Sequence, residues 1–413
     1  MPQGKSNSSK KSRFRIGPGA LITAAFIGPG TITTCSMAGA RFGFALLWGL
    51  VFSILATIVL QEMSARLGIV TRQGLGEALR KHFNKGLPRL LTIFLVISAI
   101  TIGNAAFETG NILGATLGLE AMFTNIVPSN KIWVLLIGLI TFTLLYIGNY
   151  KVIEKVMLSL VILMSITFLT TAIIVLPSIP DLLHGMFLPS LPKGSLLTLI
   201  GLIGTTVVPY NLFLYAAIVQ ERFKHRDELP AARADIITSV IIGGFISMAI
   251  LISAAMAFYG TGNSPTHAGD LALQLSPLLG SWAKYFIAAG LFAAGISSAI
   301  TAPLAAAYAT MGIMGWEKNL RSTRFRIVWM FILLAGMIFS LLGMKPMEVI
   351  LFAQAANGIL LPVIAIYLLW IVNSKKVMGS DTNISFSNML GFIVVLITVG
   401  LGVRSLLHVF GVI

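Results

Sequence analysis

Two short interruptions of otherwise apolar stretches hold the residues best suited to chemistry in this chain: Gly28-Pro29-Gly30-Thr31 and Val208-Pro209-Tyr210-Asn211. Proline removes a backbone donor and its ring clashes with the preceding turn, so each interruption reads as a broken helix. The two prolines stand 180 positions apart. Inside a bilayer such a break survives only where the freed backbone is buried in protein or lines a cavity. A matched pair in the two halves of a chain points to a substrate site at the membrane midplane. Gly and Pro also occur in membrane helices as plain kinks, but polar groups crowd both breaks here: Thr31, Thr33 and Thr34 at the first, Thr205, Thr206, Tyr210 and Asn211 at the second. The candidate substrate-binding set is Gly28, Thr31, Thr205, Val208, Tyr210 and Asn211, with Pro29, Gly30 and Pro209 making the breaks.

The donors in this set are hydroxyls, one carboxamide and unwound backbone carbonyls; none is anionic. A bare divalent ion at the midplane loses hydration that neutral dipoles do not readily return. Three substrates remain compatible: a cation held through its waters, as Mg²⁺ tends to be, a monovalent ion, or a neutral or zwitterionic solute. Glu108 is the one carboxylate placed deep within an apolar span. An intramembrane acid is a functional candidate by default, so Glu108, with Asn111 one turn on, is the candidate site for a proton or a coupling ion. The alternative is a hydrogen-bonded packing group beside Asn104 and Asn111. Ser297, Ser298 and Thr301 can complete a sodium site, although small hydroxyl residues routinely serve as helix-packing glue, which is the simpler account. Gln354 and Asn357 can also face the cavity. Cys35 shares a helical face with Thr31, but a lone cysteine usually behaves as a small buried hydrophobe. It also excludes an intrachain disulfide, and no Cys/His cluster has metal-ligand spacing. No nucleophile–base constellation or phosphate-binding loop suggests an enzyme or a cofactor.

The elements that must position these groups are membrane helices. The 413 residues are 56% hydrophobic and only 10% charged, with a mean hydropathy of +0.92, whereas soluble domains carry roughly 25% charged residues. A span needs about 20 apolar residues, and about eleven such stretches lie near 17–42, 45–66, 90–118, 132–149, 155–176, 195–220, 235–259, 282–312, 326–343, 347–372 and 387–411. After a basic tail over residues 1–15, residues 16–413 read as a single membrane domain. The net charge of +15 is a topology signal and not a nucleic-acid one: with the N-terminus cytoplasmic, 23 of the 29 Lys and Arg residues fall on the cytoplasmic side. An odd number of spans then leaves the C-terminus outside the cell membrane. The 66–89 connection reads as containing a short cytoplasmic helix, and the four prolines of 177–194 suit an extended external crossing. Glu62 and Glu154 lie at cytoplasmic ends, where pairing with Arg66 or Lys151 is expected. Spans one to five (about 16–176) and six to ten (about 195–372) each open with a broken helix and enter from opposite sides, the geometry of an inverted repeat. Span eleven, 387–411, is an appendage.

The stretch GPGTITTCSMAGARFGFALLW (Gly28 to Trp48) resembles the first helix and following loop of the Nramp family of divalent-metal/proton symporters. Further blocks agree in family order: QEMSARLGIVTRQGLGEALR (Gln61 to Arg80), ETGNILGATLGL (Glu108 to Leu119), VPYNLFLY (Val208 to Tyr215), GLFAAGISSAIT (Gly290 to Thr301) and NGILLP (Asn357 to Pro362). The resemblance implies an all-α, LeuT-like inverted-repeat symporter with substrate held between broken helices one and six.

The departures are concentrated in the implied site. The family's first break reads Asp-Pro-Gly-Asn, with Asp and Asn binding metal; here those positions are Gly28 and Thr31. The sixth-helix pattern is Ala-x-x-Met-Pro-His-Asn; here Thr205, Val208 and Tyr210 replace the Ala, Met and His, while Asn211 agrees. The eighth-helix Gln aligns with Ile296, and a third-helix acid used in proton movement aligns with Asn111, Glu108 falling on a second acidic position. Soft donors such as Met favour soft or borderline metals, and a phenol cannot relay protons near neutrality as an imidazole can. The expectation is a transporter of this type with a divalent cation as family default, coupled to H⁺ or Na⁺, and weak or absent Mn²⁺ and Fe²⁺ binding. The alternatives are a same-fold carrier of a monovalent ion or small organic solute, or a non-transporting receptor or scaffold.

Overall fold

Both breaks become helix starts. Proline has no amide to lose in a first turn, and its φ is already helical. In the structure, a computed structural model describing residues 18–19, 27–123, 130–147, 155, 159, 162, 166, 168–171, 173–174, 177–262, 265 and 268–409, Pro29 opens α1 (Pro29–Phe42) after an extended Gly28. The chain continues through α2 (Leu47–Thr71), α3 (Leu75–His82), α4 (Gly86–Met122), α5 (Asn130–Ile147), α6 (Ile179–Phe187) and α7 (Leu196–Thr206). Pro209 then opens α8 (Pro209–Arg222) after an extended Val208. There follow α9 (Leu229–Phe258), α10 (Ala268–Leu273), α11 (Ser276–Leu279), α12 (Ala283–Met314), α13 (Thr323–Leu341), α14 (Pro346–Asn373), α15 (Lys375–Met378) and α16 (Ser385–Val409). Among the described residues, nine segments are long and apolar enough to cross a membrane, the broken pair α7–α8 counting as one. Of the other two expected spans, α1 supplies the second half of the first, and every described residue between 155 and 174 is helical.

Close approach organises the interior. In lipid there is no hydrophobic drive between helices, so small residues that let backbones meet take its place. The enclosed helix α12 lies chiefly along α4. A Cβ added at Gly295 would come within 2.6 Å of the Ala115 amide nitrogen, and one at Gly118 within 2.6 Å of the Phe292 nitrogen. Around this pair, α14 packs on α4 and α7, α9 packs on α1, and α8 packs on α2. The Gly19 amide donates to Asp235 of α9 at 2.8 Å, tying the start of the first span to the same helix. Leu135, Leu139, Phe331, Ile338, Phe392 and Leu396 point outward from α5, α13 and α16, as befits helices whose outer faces meet lipid.

Two connections test the sequence reading. The 66–89 stretch contains the expected short helix, α3, whose Glu77 turns back to accept the Gly74 amide at 2.9 Å, a capping contact. The 177–194 stretch is not simply an extended crossing. Ser178 accepts the Asp181 amide at 3.3 Å and Pro180 occupies the first turn, so a capped helix, α6, forms between the flanking prolines. Glu62 pairs with Arg66 at 3.3 Å as expected and also with Arg233 at 2.8 Å; Glu154 and Lys151 lie outside the described residues. The α4–α12 crossing yields a stability test. Gly295→Val should cost about 2–3 kcal/mol through overpacking, read as a lowered melting temperature in detergent, while Gly400→Val, with no atoms within 4 Å of its Cβ, should stay within about 0.5 kcal/mol of the parent.

Candidate functional site

The two breaks meet. The Thr31 and Thr205 hydroxyls, 174 positions apart, hydrogen-bond at 2.8 Å across the gap between α1 and α7. Pro209 cannot donate the bond that the Thr205 carbonyl would receive in an unbroken helix, which leaves that carbonyl available beside the Thr205 hydroxyl. On the far side of the break, Asn211 sits in the first turn of α8 with both carboxamide atoms buried and without a hydrogen-bond partner. Tyr210 precedes it, its ring edge-on to Phe107 with centroids 5.5 Å apart. Val208 caps α8 in extended conformation and is buried. Thr31, Thr205, Tyr210 and Asn211 are all at most 2% exposed.

The first break is lined from three other helices. A Cβ added at Gly28 would overlap the Ser298 Oγ of α12, lie 3.2 Å from Ser298 Cβ, and stand 3.8 Å from the Asn111 Oδ1 of α4. A Cβ at Gly30 would overlap the Gln354 carboxamide of α14, and Pro29 fills the space beside Gly114 of α4. Ser298 Oγ and Gln354 Oε1 are buried with no hydrogen-bond partner. Glu108 Oε2 accepts from Asn111 Nδ2 at 3.3 Å, while Glu108 Oε1 has no partner. The carboxylate therefore reaches the first break through Asn111 and, through its neighbour Phe107, the aromatic wall of the second. Among the described residues no group of three His, Cys, Asp or Glu could hold a metal ion.

Residues 19–408 match the Nramp family, described as natural resistance-associated macrophage protein-like. The chain belongs to the Nramp family. It is 28% identical over 406 residues to a divalent metal cation transporter, MntH, of Klebsiella pneumoniae, covering 96% of this chain and 95% of that protein. It is also 30% identical over 383 residues to an MntH of Mesorhizobium japonicum, covering 88% and 82% of the two chains. Its fold is similar to that of a manganese transporter of Eremococcus coleocola, with a TM-score of 0.78 and 22% identity over 98% of this chain and 88% of that one. It is also similar to MhsT in complex with L-phenylalanine, with a TM-score of 0.67 and 17% identity over 95% and 98% of the two chains. The chain is thus a multi-pass membrane transporter of LeuT-type fold, and not an enzyme.

In this Nramp-family chain, Thr31 and Thr205 of the sequence-selected set are in direct contact, Tyr210 and Asn211 are buried in the first turn of α8, and Val208 is buried and apolar. Glu108 and Asn111, the candidate site for a proton or a coupling ion, are joined by a hydrogen bond at 3.3 Å, and Asn111 borders the first break. Ser298, read as packing, faces Gly28, and Gln354 covers Gly30. The Thr301 hydroxyl donates to the Ser297 carbonyl at 2.8 Å within α12. Cys35 is buried in the hydrophobic core. Thr57 was not singled out: its hydroxyl lies 2.7 Å from the Ser53 carbonyl and 3.3 Å from that of Thr206, and the only sequence signal was a hydroxyl pair one turn apart on α2. The Thr31–Thr205 bridge can be measured by a double-mutant cycle. Thr31→Val and Thr205→Val should show a coupling of about 1 kcal/mol in detergent stability; additive losses would mean that the two breaks are joined by packing alone.

Proposed function

We propose that this transporter carries a divalent cation that keeps much of its water, and that it binds Mn²⁺ and Fe²⁺ weakly or not at all. The observation that carries the reading is the neutral lining of the first break: Gly28 supplies no carboxylate, and Ser298 and Asn111 fill the direction in which one would project. Hydroxyl and carboxamide oxygens suit a hard cation bound through its hydration shell; the thioether that favours softer metals is replaced by Val208. The relatives named as divalent metal cation transporters support the cation class. Movement follows alternating access, the repeat of about 16–176 rocking against that of about 195–372 around the site, with 387–411 outside both. The distribution of Lys and Arg supports a cytoplasmic N-terminus and an external C-terminus. Glu108, with Asn111, is the site for the coupling proton or Na⁺.

Calorimetric titration of Mn²⁺, Mg²⁺ and Ca²⁺ into purified protein, paired with uptake into liposomes, tests this. Saturable Mg²⁺ binding with uptake, and little heat from Mn²⁺, is the expected result. Silence for all three from a folded sample would move the substrate to monovalent ions or organic solutes. Because Ser298 blocks the carboxylate direction, Gly28→Asp with Val208→Met should gain Mn²⁺ affinity only when Ser298→Ala is added, and then by about tenfold or more. Glu108→Gln should remove the stimulation of uptake by an imposed ion gradient while leaving substrate binding intact; unchanged stimulation would remove Glu108 from coupling.

A further inference from the structure

Away from the breaks, a cavity of about 720 Å³ opens between α3, the start of α4 and the end of α12. Its walls carry Arg72, Arg80, Lys81 and Arg89 against one carboxylate, Glu77. Glu77 is already engaged, by Lys318 at 3.0 Å and by the Gly74 amide at 2.9 Å. Arg72 is engaged as well. It is the only non-glycine residue with positive φ among the described residues, at 55°, and its guanidinium donates to the Gln220 and Phe223 carbonyls at 2.8 Å each. Arg80 and Arg89 are half-buried and have no carboxylate partner among the described residues. The Arg80 head group occupies the space that a Cβ at Gly315 would fill, and Arg89 makes only a 3.4 Å contact with the Asn84 carbonyl. At the rim, Arg324 stacks on Trp316 at 5.2 Å, adding another cation.

The chain next to this basic cavity turns apolar. Leu87, Leu90 and Phe94, on the first turns of α4, are 67, 66 and 67% exposed. Partly buried guanidinium groups without carboxylates, beside outward-facing leucine and phenylalanine, match a molecule with an anionic head and apolar tails. Basic pockets between membrane helices hold lipid head groups by this chemistry, and paired arginines suit phosphate. The geometry points to a binding site for one anionic glycerophospholipid, its phosphate between Arg80 and Arg89 and its acyl chains along the Leu87–Phe94 face. A lipid seated there joins α3 to the ends of α4 and α12, the helices that carry Glu108 and Ser298. A soluble phosphate would use the same arginines but not the apolar face, which is why the lipid is favoured.

Native mass spectrometry of the purified full chain, titrated with phosphatidylglycerol, phosphatidylcholine or inorganic phosphate, tests the assignment. One phosphatidylglycerol should bind in preference to phosphatidylcholine. The Arg80→Gln/Arg89→Gln variant should bind it about thirtyfold more weakly, while Lys375→Gln/Lys376→Gln, an equal loss of charge on α15, should leave it unchanged. Equal retention by the Arg80→Gln/Arg89→Gln variant would overturn the proposal, as would inorganic phosphate binding as tightly as the lipid, which would make this a soluble-anion site. Should the arginine variant fail to fold, brominated phosphatidylglycerol added to the parent chain should quench the part of the fluorescence that Trp316→Phe removes. No such quenching would equally overturn it.

Discussion

An unwound backbone in the middle of a bilayer must find all its hydrogen bonds and contacts within the protein, because hydrocarbon offers none and each orphaned group costs several kcal/mol. Much of the interior can be understood as the answer to that constraint. The Gly28 carbonyl accepts the Thr31 and Ile32 amides at 3.0 and 3.2 Å, and the Val207 amide closes on the Ile203 carbonyl at 2.8 Å. The Thr57 hydroxyl reaches the Thr206 carbonyl from α2. Side-chain-free positions then let neighbouring helices close over what remains: Gly114 makes room for Pro29, and Gly204 lies against the Gln354 carbonyl and the Gly358 backbone. The breaks are packed closely by α4, α12 and α14.

The same closeness decides what the site can hold. Most buried polar atoms in proteins are paired, yet around these two breaks Thr33, Thr34, Asn211, Ser298, Gln354 and one Glu108 oxygen have no hydrogen-bond partner. Unpaired buried groups are costly, and under the proposed function those at the breaks are the groups that meet the substrate. Every one of them except Glu108 is neutral. A carboxylate does not fit at position 28 with the present neighbours: Gly28 on α1 meets the Ser298 hydroxyl of α12 and lies near the Asn111 carboxamide of α4. Under the proposed function, selectivity belongs to that three-helix contact and not to a single ligand.

Local signals in the sequence were read correctly where the physics is local. Pro29 and Pro209 announced their own breaks, Glu77 its short helix, and Glu62 its partner one turn along. The misses are of two kinds. The helix α6 was hidden because prolines suggested extended chain, although Ser178, Pro180 and Asp181 together form a helix start. Ser298 was set aside as packing and Thr57 passed over because what they face lies 270 and 149 positions away, at Gly28 and Thr206; Gln354, read as able to face the cavity, covers Gly30. Nothing in the periodicity of an all-apolar helix says which side meets the breaks. The family resemblance pointed to positions 28 and 208, but it could not say which residues lie against them.

Under the proposed function, Glu108 gives the arrangement its electrical logic. The many Lys and Arg residues lie toward the ends of the helices, and beyond about 8–10 Å their exposed charges are largely screened. Under the proposed function, at the centre that screening is lost, and among the described residues near the breaks Glu108 is the carboxylate that faces these dipoles. It reaches the first break through the Asn111 amide, and its neighbour Phe107 packs on Tyr210 at the second. Under the proposed function, an ionised Glu108 favours a cation between the breaks without touching it, and protonation withdraws that favour. Coupling by field instead of by ligation needs no carboxylate in the first shell of the cation, which is how a neutral site can still be linked to a proton. It also explains why the acid can stand one residue removed from the break while the residue at the break itself is an amide.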